Sequence, residues 1–113
     1  TGEIFQIEDD LDHQTNCQCC TQTGTLRPHV VWFGEMPLYM DEIYAALASC
    51  DYFIAIGTSG NVYPAASFYQ AAKIGGAETV ELNLEATKSS FDKHIQGKAT
   101  EIVPKYFEEL LSI

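Results

Sequence analysis

Short apolar runs, each closed by a glycine-bearing polar turn and followed by helical spacing, limit what this chain can fold into more than any other feature. Residues 29–33 (HVVWF) run into Gly34 and Glu35, and residues 52–56 (YFIAI) run into Gly57, Thr58, Ser59, Gly60 and Asn61. Continuous β-branched and aromatic runs of this length predict strands buried on both faces. Between them Met40, Ile43, Tyr44, Leu47 and Ala48 recur on one helical face, with Asp41 and Glu42 in the first turn, where the helix dipole favours negative charge. Pro64 can open a second helix, because its missing N–H is no loss at that position, and Gly75-Gly76 ends it. Residues 79–84 (TVELNL) predict a third strand, and residues 85–99 a loop or short helix. A last helix carries the stripe Ile102, Val103, Tyr106, Phe107, Leu110 and Leu111, with Pro104 in its first turn. Before Leu26 the chain is polar and irregular, apart from residues 3–7 (EIFQI), which fit a short strand.

Strand and helix in alternation, with short connections, imply an α/β fold: a parallel, Rossmann-like sheet with right-handed crossovers. Ligands of such sheets lie at the carboxyl ends of the strands. Here those ends read FGE, GTSGN and NLE. The GTSG turn offers backbone N–H groups and two hydroxyls near a helix start, which suits phosphate or ribose oxygens, and it equally fits a flexible strand-to-helix turn. Glu85 can accept hydrogen bonds from ribose hydroxyls, or the NLE segment can simply cap the next stretch of chain. The Trp32-Phe33 pair fits a core, and also an extended edge able to pair with a peptide backbone. His13, His29 and His94 have no partner at a catalytic spacing and read as structural or surface groups.

The net charge of −10, from 16 acidic and 6 basic residues, argues against nucleic acid, whose binding needs Lys and Arg on phosphates. It suits a soluble protein and a basic peptide partner. No run spans a bilayer and no secretory signal is visible, so a membrane role is not expected and a cytoplasmic setting is. In that setting Cys17 and Cys20, spaced C-x-x-C, read as two ligands of one tetrahedral zinc, half a site. Cys50 closes an apolar helix pattern and reads as a small buried residue.

Taken in order and spacing, CQCC, LRPHVVWFGE, GTSGNVYPAA and ELNLE resemble the sirtuins, and within them the bacterial branch of NAD-dependent protein-lysine deacylases. The resemblance covers nearly the whole chain but only the C-terminal half of that family's catalytic domain. It implies residues 1–25 as part of a small zinc-binding module, and residues 26–113 as the C-terminal half of a Rossmann-like NAD-binding domain. By the same resemblance Gly57, Thr58 and Ser59 bind NAD, Asn83, Leu84 and Glu85 contact the adenosine ribose, and Ala99 lies by the adenine. An acylated-lysine protein or peptide is the implied partner, held as a strand by Phe33, Gly34, Glu35, Asn61 and Val62. Cys17 and Cys20 are implied ligands of a structural zinc. The implied reaction removes acetyl groups, with succinyl as a further expectation of this branch, and yields nicotinamide and O-acyl-ADP-ribose.

The family's phosphate loop, nicotinamide pocket, catalytic histidine and first zinc cysteine pair find no match here. The resemblance places them in a missing N-terminal half, so the chain alone is expected to be inactive. The alternatives are a non-catalytic nucleotide-binding half-domain and a zinc-knuckle interaction module.

Overall fold

The computed structural model describes residues 2–112. The chain forms two compact units, Thr1–Leu38 and Tyr39–Ile113. Among the described residues no helix is long and apolar enough to cross a membrane.

In the first unit the described residues form no helix and no extended strand, only one antiparallel bridge between Asn16 and Thr23. The strands expected over residues 3–7 and 29–33 are absent. The second absence has a clear cause. A ladder needs the N–H and C=O groups of its residues, and here side chains take them. Trp32 N–H donates to Glu35 Oε1 at 3.0 Å, and the Val30 carbonyl accepts from Arg27 Nη2 at 3.1 Å. The Arg27 guanidinium grips both Glu35 oxygens, at 2.8 and 3.2 Å, and stands over the Trp32 ring. Glu35 N–H closes the turn on Trp32 O at 3.0 Å. The Arg27 hydrogen bond, helped by the Trp32 N–H, holds the Glu35 carboxyl below its ordinary pKa. The apolar run is therefore a pinned turn, with Phe33 93% exposed.

The second unit is α/β. Its elements are α1 (Met40–Ser49), β1 (Tyr52–Ile56), a 3-10 turn (Ala65–Ser67) leading into α2 (Phe68–Ile74), β2 (Glu78–Asn83), β3 (Lys93–Gln96) and α3 (Ala99–Leu111). The strands form one parallel sheet in the order β1-β2-β3. Ile54 faces Val80 across the first pair, and Leu82 faces Ile95 across the second.

Alternation along the strands sends successive side chains to opposite faces. On one face Leu47, Ala72 and Ala77 make a core with Ile43, Phe53 and Phe68. On the other, Val80, Leu82 and Tyr106 pack with Ile54, Ile95, Ile102 and Val103. Burying Val80 and Leu82 completely contributes about 1.5–3 kcal/mol each. The sheet thus lies between α1/α2 and α3.

Three sequence expectations need correction here. Lys93–Gln96 is a strand and not a loop or helix, although only Ile95 in it is apolar. It is an edge strand, and edges tolerate charge: Lys93 reaches Glu78 on the neighbouring strand at 2.8 Å. The last helix starts at Ala99, because Lys98 O already accepts the N–H groups of Glu101 and Ile102. Pro104 therefore lies inside it, beyond the first turn, where the carbonyl of exposed Thr100 loses its helical donor. Leu111, expected in the stripe, is 80% exposed in the final turn.

Two contacts fix how the layers meet. Gly75, the C-cap of α2, approaches α1 so closely that a Cβ would sit 2.8 Å from Ala48 O and 3.0 Å from Leu47 O. Both atoms are backbone and cannot swing aside. Asp92, just before β3, accepts the N–H and hydroxyl of buried Thr79 on Oδ2, at 2.9 and 3.0 Å, and pairs with Lys73 through Oδ1 at 3.0 Å. The Thr79 N–H first, then Lys73 and the Thr79 hydroxyl, pull its pKa from 3.8 to about 2.

Gly75→Ala is expected to lower stability by about 1–3 kcal/mol, the usual cost of overpacking, read as a fall in the urea midpoint. For Asp92 the folded pKa lies below the unfolded one. Its stabilisation is thus complete above the unfolded value of 3.8 and is lost as pH falls through about 2. Urea midpoints compared at about pH 5 and about pH 2.5 should fall further in the parent chain than in Asp92→Asn. Equal falls would mean that Asp92 is unpaired in solution.

Candidate functional site

Because the sheet is parallel, all three strands deliver their exits to one edge. Residues 57–61 follow β1, residues 84–92 follow β2, and Gly97 with Lys98 joins β3 to α3. Gly57 extends the β1 ladder by one bond, its N–H donating to Leu82 O at 2.9 Å. The loop then turns on its own hydroxyls: Thr58 Oγ1 accepts from Gly60 N–H at 3.3 Å, and Ser59 Oγ from Asn61 N–H at 3.4 Å. Hydroxyl-to-backbone bonds of this kind hold turns that the main chain alone leaves loose.

Asn83, the last residue of β2, joins the three exits. Its Nδ2 donates to Thr58 O at 2.7 Å and its Oδ1 accepts from Leu84 N–H at 2.9 Å. Its main-chain carbonyl accepts from Gly97 N–H at 3.0 Å. One half-buried side chain therefore sets the β1 exit, starts the β2 exit and lies beside the β3 exit. Around it Gly57, Thr58, Ser59, Glu85 and Ala99 are exposed, and Leu84 is 67% exposed. Ala99 stands at the first position of α3, ahead of Glu101, whose N–H to Lys98 O is the first bond of the helix. Asn61 and Val62 continue the β1 exit, also exposed, with Val62 O accepting from Ala66 N–H at 2.8 Å. The residues expected to meet a nucleotide are thus gathered at one sheet edge, with hydroxyls, a carboxylate and backbone donors open to solvent.

Sequence reasoning passed over the polar group beneath this edge. Glu81 is 1% exposed, in register with His94 on β3. His94, read as structural or surface, places Nδ1 2.9 Å from Glu81 Oε1. The signal was present: a glutamate inside the apolar run TVELN cannot be buried without partners.

In the first unit the cysteine knot folds on a tight turn. Cys17 N–H donates to Gln22 O at 2.8 Å, Thr21 N–H returns to Cys17 O at 2.9 Å, and Thr21 has φ of 59°. The sulfurs of Cys17, Cys19 and Cys20 lie within 4.8 Å of one another, so the expected Cys17–Cys20 pair is together and Cys19 joins it. The Cys19 N–H, then its thiol and the Cys20 N–H, bring Cys17 from 9.0 to about 7 against the opposing effect of burial. Clustered sulfurs with one thiol poised to ionise fit a soft tetrahedral metal such as zinc. Phe33 and Gly34 form the exposed tip of the pinned turn in the same unit, while Glu35 is held by Arg27.

The Sir2 family model matches residues 2–64. Over 113 residues the chain is 57% identical to an NAD-dependent protein deacylase of Pasteurella multocida, covering 98% of this chain and 48% of that protein. It is 52% identical to one of Salmonella typhimurium, covering 98% and 41%. The chain therefore spans less than half the length of these curated relatives. Among solved structures, a Sir2 homologue–NAD complex superposes with a TM-score of 0.75 at 32% identity, over 87% of this chain and 39% of that one. Sir2Af2 bound to a myristoylated histone peptide gives 0.70 at 37% identity, over 85% and 42%. A Sir2 homologue mutant–ADP-ribose complex gives 0.77 at 31%, over 96% and 47%. With more than half of its residues matched by the family model, and a parallel sheet that superposes on Sir2 structures, the chain belongs to the Sir2 family.

Proposed function

We propose that this chain supplies the adenosine side of the NAD site of a protein-lysine deacylase, together with part of its zinc module. The observation that carries the reading is the Asn83 junction, which gathers Gly57, Thr58, Ser59, Leu84, Glu85 and Ala99 at one exposed edge. The names of the bacterial relatives and the NAD and ADP-ribose complexes of Sir2 homologues support it. In this reading the backbone and hydroxyls of Gly57, Thr58 and Ser59 bind the dinucleotide. Asn83 fixes the turn, and Leu84 and Glu85 hold the adenosine ribose, with the Glu85 carboxylate accepting from its hydroxyls. Ala99 lies against the adenine, where a small side chain leaves room for a ring.

Bound NAD supplies the electrophilic ribose carbon and the nicotinamide leaving group. The acyl-lysine partner is read from the relatives, with Phe33, Gly34 and Glu35, and separately Asn61 and Val62, as the residues offered to it. Acetyl-lysine is the proposed substrate and succinyl-lysine the second. Cys17 and Cys20 are proposed as structural zinc ligands, with Cys19 beside them. The whole reaction is assigned to a protein of the relatives' length. The catalytic histidine and nicotinamide pocket that the family resemblance implies have no match in this sequence, so we expect no turnover of acetyl-lysine peptide by the 113-residue chain itself.

NAD titrated into the chain should move the backbone amide resonances of Gly57, Thr58, Ser59, Leu84, Glu85 and Ala99. Glu85→Ala should weaken that binding about tenfold or more, as loss of a hydrogen bond to a charged group does. Amides unmoved at millimolar NAD would overturn the reading. For the metal, Co²⁺ should give a thiolate charge-transfer band that Cys17→Ser largely removes. A band unchanged by that substitution would put the metal elsewhere.

A further inference from the structure

Glu81 is too deeply buried to remain ionised without partners, and it has them. The Thr87 N–H donates to Oε1 at 2.9 Å, the Thr87 hydroxyl donates to Oε2, and His94 Nδ1 lies 2.9 Å from Oε1. Burial pushes the carboxyl up, but the Thr87 hydroxyl and N–H, with His94, outweigh it and hold the pKa below its ordinary value. Both oxygens are thus committed to Thr87, which belongs to the loop after β2 and lies two residues beyond Glu85.

The Thr87 methyl group lies near the β1 exit. Gly60 has φ of 70°, and a Cβ there would stand 3.8 Å from Thr87 Cγ2 and 3.4 Å from Ser89 Oγ. Thr87 thus bonds the buried carboxylate while its methyl group lies close enough to Gly60 that a side chain there would touch it. The loop of residues 84–92 has no helix or strand of its own to hold it. Asn83 Oδ1 holds Leu84 N–H at its start, and its other anchors, Lys73 to Ser90 O, Ser90 N–H to the Tyr69 hydroxyl and Asp92 to Thr79, lie beyond Thr87 toward β3. Between Asn83 at one end and the β3-side anchors at the other, Glu81 fastens the middle of the loop through Thr87.

We propose that Glu81, acting through Thr87, is a positioning residue for the dinucleotide: it seats the Leu84-Glu85 segment and the Gly60 turn against each other, so that the two walls of the site are formed before ligand arrives. This inference rests on the NAD reading above. It assigns Glu81 and Thr87 no contact with the ligand. Their effect is preorganisation, which improves affinity by lowering the ordering cost of binding.

The test compares NAD affinity by calorimetry in the parent chain, Thr87→Val and Thr87→Ser, with the urea midpoint of each unliganded protein. Valine keeps the size and removes the hydroxyl, and serine restores it. Thr87→Val should weaken NAD about tenfold and Thr87→Ser by less than about twofold. The urea midpoint of the valine variant should fall as well, because buried Glu81 Oε2 loses its partner, and serine should restore it, so each affinity is measured well below the variant's own midpoint. NAD binding by Thr87→Val equal to the parent, or no rescue by serine, overturns the positioning role and leaves the NAD reading intact. A parent chain that does not bind NAD overturns both. Should Thr87→Val fail to fold, Glu81→Gln takes its place: weakened NAD binding by the folded glutamine variant supports the inference, and parent-like binding overturns it.

Discussion

Burial of β2 on both faces is the constraint that governs the rest of the second unit. A central parallel strand has no solvent side, so each polar group on it must find a partner inside the protein. Thr79 and Glu81 are the two polar side chains that β2 buries. Each is satisfied from the segment that leads to β3, Thr79 by Asp92 and Glu81 by Thr87, with His94 of β3 itself as Glu81's further partner. The segment after β2 is irregular in its own backbone, yet it is fastened at both ends by the strand it leaves. Phe91 completes the cover, stacked on Tyr69 at 4.6 Å and on Phe53 at 6.4 Å. Order in this loop is thus a consequence of polar burial in the sheet.

The same strand shows why part of the fold was legible and part was not. β1, β2 and α1 could be read from local pattern because their side chains are sorted by core against solvent, and pattern records that sorting. β3 could not, because an edge strand with one half-buried apolar residue keeps Lys93 and Gln96 for solvent. What makes it a strand is its neighbour's open ladder, which no local window contains. Residues 29–33 show the converse. Their apolar pattern is strong, but a strand is a pairing, and Glu35 and Arg27 take the groups that pairing would use. The early start of α3 has the same origin: Gly97 is drawn to Asn83 O, and the helix begins as soon as that bond releases the chain.

At the candidate site, the residues with open chemistry were legible and the residues behind them were not. Glycine, hydroxyl and carboxylate at strand ends announce themselves, since loops after parallel strands are where ligands lie. The family resemblance added Ala99, which composition alone would not single out. Asn83 is expected as a ligand contact; what the structure shows is its amide engaged with Thr58 O and Leu84 N–H, an architectural role. Glu81 was missed because it sits in a strand whose other features all signal core.

The two units solve the problem of holding an exposed loop by different means. In the second, loops are fastened to a sheet, so their geometry derives from a packed core. In the first, with no sheet among the described residues, the Arg27–Glu35 pair and the cysteine turn do the fastening. An exposed ion pair contributes little on its own, about 0–1 kcal/mol, because water screens it and two long side chains must be ordered. A thiol cluster that binds metal is another matter, since metal affinity realised only in the folded form adds directly to stability. The proposed zinc would then serve in the first unit the function that β2 serves in the second.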